Sequence, residues 1–114
     1  MALYIGLMSG TSLDGVDGVL ADWPDKGPPR VLGHQHLAFD DALRTTLLHL
    51  NQPGAGELHL SALAANAVAR HYAQVVGRLL ETTGTPRPLV TAIGAHGQTV
   101  RHRPREFDAT GYTV

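Results

Sequence analysis

Ile5-Gly6-Leu7-Met8-Ser9-Gly10-Thr11-Ser12-Leu13-Asp14-Gly15-Val16-Asp17 runs from an apolar strand into a turn rich in glycine and hydroxyl groups, and it carries two aspartates. Leu3 to Met8 is a short, mostly apolar run bounded by glycine and hydroxyl residues, which reads as a largely buried strand. Apolar character resumes from Gly15 to Trp23 through Val16, Val19, Leu20 and Ala21. Strand, turn and strand together predict a β-hairpin around Gly10 to Gly15. Glycines let backbone N–H groups turn inward, hydroxyls donate to anionic oxygens, and a carboxylate can hold a hydrated magnesium ion. The same residue types also build an ordinary hairpin turn, and residue chemistry alone leaves both readings open. The Gly-Lys-Ser/Thr ending of a Walker A loop is missing, Ser12 is followed two residues later by Asp14 rather than glycine, and the dinucleotide fingerprint is not matched.

Working outward, Pro24, Asp25, Lys26, Gly27, Pro28 and Pro29 form a breaker cluster before Arg30 to Phe39, which reads as a third antiparallel strand. Asp40 or Asp41 can cap a helix whose apolar positions Leu43, Leu47 and Leu50 share a face, with Asn51-Gln52-Pro53-Gly54 as its stop. A longer helix is expected from Glu57 or Ser61 to Thr83, with Leu60, Leu63, Ala64, Ala67, His71, Val75 and Leu79 on one face and Gly84 as terminator. After Pro86-Arg87-Pro88, Leu89 to Ala95 reads as another buried strand, and Gly111 to Val114 has the character of a starting strand. This order predicts an α/β layered domain in which an antiparallel meander leads through helices to a parallel strand.

Composition narrows the classes. The 43% hydrophobic and 17% charged content, with 13 Gly and 7 Pro, is that of a globular protein rather than a disordered one. Net charge is −1 and the basic residues form no dense cluster, so no nucleic-acid footprint and no partner in an anionic membrane surface is expected. The absence of cysteine excludes a disulfide framework, a thiolate zinc site and a cysteine nucleophile. The apolar start ends at Ser9, too early for a signal peptide or membrane span, and the expected location is cytoplasmic.

The strand ending at Ala95 exits into His96-Gly97-Gln98-Thr99, with Arg101, His102, Arg103 and Pro104 after it. Ligands of open α/β sheets bind beyond the carboxyl ends of strands, where these side chains would sit. His96 and Gln98 can read sugar hydroxyls, and Arg101 or Arg103 can meet a carboxylate or phosphate, while a structural loop is the competing reading. His34 and His36 would share one strand face without a third ligand for zinc. Asp17 and Asp22 read as solvated or turn-capping carboxylates, and His49, His59 and His71 as side chains without a role.

Taken together, Ile5 to Asp17 and Ile93-Gly94-Ala95-His96-Gly97-Gln98-Thr99-Val100-Arg101-His102-Arg103-Pro104 resemble two signatures of the anhydro-N-acetylmuramic acid kinases, members of the actin/hsp70/sugar-kinase superfamily. The order is right, and the resemblance extends over essentially the whole chain. It implies a ribonuclease H-like, actin-like ATPase lobe. It also implies ATP with Mg2+ as cofactors, and phosphorylation of O6 of 1,6-anhydro-N-acetylmuramic acid with hydrolytic opening of the anhydro ring. The product would be N-acetylmuramic acid 6-phosphate, in the recycling of cell-wall sugar.

By the same resemblance, Gly10, Thr11, Ser12, Leu13, Asp14, Gly15, Val16 and Asp17 are nucleotide contacts, with Asp14 the residue nearest magnesium. His96, Gln98 and Thr99 are sugar contacts. Family members are several-fold longer and have two lobes, so residues 1–114 are expected to form the N-terminal part of the first lobe. The second lobe, the adenosine contacts and the water-activating aspartate would lie beyond residue 114, leaving this chain without a catalytic residue and inactive alone. The full-length form would carry the family's homodimeric habit. Two other readings stand beside this one: a kinase for another sugar, and a non-catalytic lobe that binds nucleotide or a partner. A lobe cut at this point would leave a sheet edge near Leu89 to Ala95 unpaired and prone to association.

Overall fold

Three consecutive strands, β1 (Ala2–Ser9), β2 (Gly15–Trp23) and β3 (Arg30–Ala38), form the antiparallel meander that the apolar runs predict. The computed structural model describes residues 2–10 and 12–114. Along β1, Leu3, Ile5, Leu7 and Ser9 are buried while Tyr4, Gly6 and Met8 face the other side, the period of two that a pleated strand imposes. β1 and β2 stay in register from Ala2 opposite Trp23 to Ser9 opposite Val16, so the hairpin opens only at the turn.

Helix α1 (Asp41–His49) begins at Asp40, whose carboxylate accepts from the Leu43 N–H at 2.8 Å. That bond satisfies one of the free donors of the first turn and decides between the two candidate caps. Leu43, Leu47 and Leu50 are buried, as their spacing predicts. Helix α2 (Glu57–Thr83) ends at Gly84, which adopts φ 65° and donates its N–H to the carbonyls of Glu81 and Leu80. Its buried stripe is Ala64, Val68, Val75 and Leu79. Leu63, expected on that stripe, is 53% exposed, and Val68 takes the inward position.

α2 crosses β2 and β3, and glycines in the sheet permit the close approach. A Cβ on Gly18 would stand 3.0 Å from Leu7 Cδ2 and collide with Val75, while one on Gly33 would stand 2.8 Å from Thr83 Cγ2. The core between sheet and helices is therefore filled by whole side chains such as Ile5, Val16, Leu20, Leu47, Val75 and Leu79. Burial of each is worth roughly 1.5–3 kcal/mol.

A single 3₁₀ turn (Arg87–Leu89) containing Pro88 precedes β4 (Val90–Ala95), which starts one residue later than expected and runs parallel to β1. The sheet order is β3-β2-β1-β4, a mixed four-stranded sheet of the α/β class. β4 lies at the edge and is exposed from Thr91 to Ala95. The sheet face away from the helices carries Tyr4, Met8 and Trp23 exposed, with the Tyr4 and Trp23 rings edge to face at 6.3 Å.

A second, two-stranded antiparallel sheet joins β5 (His102–Pro104) to β6 (Gly111–Thr113). It continues into Val114, whose N–H donates to the Arg101 carbonyl at 3.0 Å and whose carbonyl accepts from Val100 at 2.8 Å and Arg101 at 3.1 Å. Among the described residues, no helix is long and apolar enough to cross a membrane.

Candidate functional site

Because β1 and β4 are parallel neighbours, their carboxyl ends lie side by side, with Leu7 opposite Ala95 and the His96 N–H donating to the Leu7 carbonyl at 2.9 Å. The two polar segments that the sequence singles out therefore leave the sheet together. Ser9, 2% exposed, donates its hydroxyl to Gln98 Oε1. Gln98 Nε2 donates in turn to the Gly10 carbonyl at 3.2 Å and the Thr99 carbonyl at 2.9 Å. One amide thus bridges the turn after β1 and the loop after β4.

The turn itself is pinned from inside. Leu13 has φ 57°, an uncommon conformation for a residue with a side chain, and donates its N–H to the Gly10 carbonyl at 3.2 Å. Its side chain is 4% exposed and belongs to the core. Asp14 accepts through its carbonyl from Phe39 N at 3.1 Å, and its carboxylate accepts from the Ser12 hydroxyl at 3.0 Å. Ser12 and Asp14 are exposed, so their polar groups face solvent at the tip of the turn.

The rest of the stretch divides by direction. Gly15 is buried where a Cβ would collide with the Leu37 carbonyl and come within 2.8 Å of Ala38 Cα, so the approach of β2 to β3 requires glycine. Val16 is fully buried. Asp17 lies on the outer sheet face, where His34 Nε2 and His36 Nδ1 each stand 3.1 Å from its Oδ1. Thr11 lies outside the described residues. Among the described residues no group of three His, Cys, Asp or Glu side chains is arranged to hold a metal ion.

In the second segment, His96 is exposed, and its Nδ1 stands 3.1 Å from the Gly97 carbonyl. A carbonyl only accepts, so Nδ1 is the donor in this contact and Nε2 is left facing outward from it. Thr99 is half-buried and, with Leu13, Asn51, Gln52 and the run Val100 to Arg103, lines a cavity of about 370 Å³.

Arg101 and Arg103, either of which could have met an anion, are both engaged within the chain, as the structural-loop reading has it. Arg101 donates to the Leu50 carbonyl at 3.0 Å and to Glu57 Oε2 at 2.8 Å. Arg103 donates to the Asn51 carbonyl at 3.0 Å and Gln52 Oε1 at 3.2 Å, and its Nε stands 3.6 Å from Glu106. The Arg101 hydrogen bond, followed by one from the Gly54 N–H, holds the Glu57 carboxyl below its usual range, and Glu57 raises Arg101 in return. Sequence reasoning assigned Asn51, Gln52 and Glu57 only to helix ends. Nothing local in those residues signals that the later loop docks on them.

The family model described as anhydro-N-acetylmuramic acid kinase matches residues 2–114. The chain is similar to the anhydro-N-acetylmuramic acid kinase of Variovorax paradoxus (strain S110), 59% identical over 98% of this chain and 30% of the relative. It is also similar to that of Albidiferax ferrireducens, 59% identical over 98% of this chain and 28% of the relative, and to that of Nitrosospira multiformis, 50% identical over 99% and 30%. The chain spans about 30% of the length of these curated relatives.

Proposed function

Because the chain belongs to the anhydro-N-acetylmuramic acid kinase family, we propose that residues 1–114 supply the phosphate turn and part of the sugar site of an enzyme that phosphorylates O6 of 1,6-anhydro-N-acetylmuramic acid with ATP. The reaction includes hydrolytic opening of the anhydro ring and yields N-acetylmuramic acid 6-phosphate, which returns cell-wall sugar to metabolism. The domain is the N-terminal part of the first lobe of a two-lobe, ribonuclease H-like and actin-like kinase. The second lobe and the water-activating aspartate come from sequence beyond Val114, in a cytoplasmic protein that is homodimeric at full length.

The bridge from Ser9 and Gly10 to Gln98 carries this reading, since it joins a turn suited to phosphates to a loop suited to sugar hydroxyls at the carboxyl ends of two parallel strands. Gly10, Thr11 and Ser12 meet phosphate oxygens through N–H and hydroxyl groups. Leu13, Gly15 and Val16, whose side positions are filled by the core, contribute through the backbone. Asp17 completes the nucleotide stretch. Asp14, exposed and accepting from the Ser12 hydroxyl, fits the role of one carboxylate toward a hydrated magnesium ion whose remaining ligands would be phosphate and water. Magnesium when bound neutralises charge on the transferring phosphoryl group. His96 through Nε2, Gln98 through its amide oxygen and Thr99 through its hydroxyl meet hydroxyls of the sugar.

Titration of the chain with ATP and magnesium, followed by backbone amide NMR, tests the assignment. Shifts are expected at Gly10 and Ser12 to Gly15, and they are lost in Asp14→Ala while circular dichroism stays unchanged. Absence of any shift in the folded wild-type chain overturns the nucleotide assignment.

A further inference from the structure

We infer that Gln98 is a positioning residue that sets the phosphate turn from the sugar side, by holding the Gly10 carbonyl where the Leu13 N–H meets it. This inference rests on the function proposed above for the two segments. Both N–H donors of the Gln98 amide are committed, one to Gly10 and one to Thr99, and its Oε1 accepts from Ser9. An amide oxygen has two lone pairs, so Oε1 retains room for one further donor and the nitrogen retains none. Gln98 can therefore meet a sugar only by accepting a hydroxyl hydrogen.

The Gly10 carbonyl is where the amide meets the turn. It accepts from Gln98 Nε2 and from the Leu13 N–H, each at 3.2 Å, and the second of these bonds closes the turn. Ser9 is buried and supplies the fixed end of the clamp, so the amide cannot slide when the sugar arrives. The clamp consists of four named groups: the Ser9 hydroxyl, the Gln98 amide, the Gly10 carbonyl and the Leu13 N–H.

Amide hydrogen exchange at Leu13 reads the clamp without any ligand, with Val75 and Leu79 in the α2 core as internal controls. In Gln98→Ala the Leu13 amide is expected to exchange about tenfold faster while Val75 and Leu79 keep their rates, the order of effect for losing one hydrogen bond. Gln98→Glu separates the two ends of the amide: its carboxylate still accepts from Ser9 but cannot donate to Gly10, so Leu13 should again exchange faster. Unchanged Leu13 exchange in either variant overturns the inference. So does equal acceleration at Leu13, Val75 and Leu79, which would make Gln98 a general stabiliser.

Adding ATP and magnesium gives a second readout. In the wild type, shifts at Gly10 and Ser12 are expected to extend to the Thr99 amide, and in Gln98→Glu they stop at the turn. Shifts that reach Thr99 equally in both chains overturn the coupling. If the wild-type chain binds no nucleotide, the assignment of the turn fails, and the exchange measurement still decides the role of Gln98.

Discussion

Arg101 holds Glu57 at 2.8 Å and the Leu50 carbonyl at 3.0 Å, so one guanidinium fastens the end of α1, the start of α2 and the loop after β4 to one another. Both bonds come from one terminal nitrogen, Nη2, whose two hydrogens meet acceptors on different elements. Arg101→Ala should lower the melting midpoint and speed amide exchange from Asn51 to Gly54. Arg101→Lys should recover only part of the loss, since the shorter side chain keeps the charge and does not carry its nitrogen to the place of Nη2. Thermal melts of the two variants against the parent check the ranking, and equal midpoints for Lys and Arg would refute it.

Acid should loosen the same region. Glu57 is held below its ordinary value of 4.5 by Arg101 and the Gly54 N–H, and Asp108 below 3.8 by the N–H groups of Gly111 and Thr110. A carboxyl whose folded pKa is depressed contributes stability above its unfolded pKa and loses it as the pH falls through the folded one. The melting midpoint should therefore hold from neutrality to about pH 5 and decline below it. Glu57→Gln should flatten the upper part of that decline, leaving the Asp108 part, which falls at lower pH.

Much of this architecture was legible in the chain because local signals and tertiary packing agree. Asp40 caps α1, Gly84 ends α2, and the alternation in β1 matches its buried face, each a case where the residue chemistry serves the element it sits in. β5 was not legible. His102, Arg103 and Pro104 are poor strand formers, and they pair only because Gly111 to Thr113 folds back beside them. Arg101 and Arg103 were misplaced for a related reason: their partners Glu57, Asn51 and Gln52 are distant in sequence, and an arginine satisfied by its own chain looks the same in sequence as one awaiting a ligand. The turn lay between these cases. Its glycines and hydroxyls suggested a cradle, yet Gly15 is required by the backbone of β3.

That requirement is open to measurement. Gly15→Ala should destabilise the chain by about 1–3 kcal/mol, the usual cost of forcing extra atoms into a packed site. The loss should appear in a chemical melt without any ligand. Gly10→Ala, whose Cβ would meet Ser12 Oγ alone among the described residues, at 3.9 Å, should leave that melt within about 0.5 kcal/mol of the parent. Similar losses for both substitutions would remove the distinction drawn between the two glycines.

The open edge makes a concentration-dependent prediction. β4 pairs on one side with β1, and Ile93, in register with the buried Ile5 and so on the helix side of the sheet, is 51% exposed at that edge. Exposed apolar edges template pairing between chains. Sedimentation velocity should show association rising with concentration, and Ile93→Lys should suppress it, since an edge lysine opposes strand-to-strand contact. A wild-type chain that sediments as a monomer at every concentration would contradict this.

The burial of Leu13 bears on the heat of any binding event at the turn. A loop that must be ordered by its ligand gives up conformational freedom on binding, at about 1–2 kcal/mol for each backbone residue fixed. Here the core has already fixed the tip through one side chain, in a left-handed conformation that the loop would otherwise rarely visit. A phosphate arriving at Ser12, with its magnesium at Asp14, meets groups with little entropy left to lose. Calorimetry of such binding should show a small entropic penalty, and cutting the anchor with Leu13→Gly should enlarge that penalty more than it changes the enthalpy.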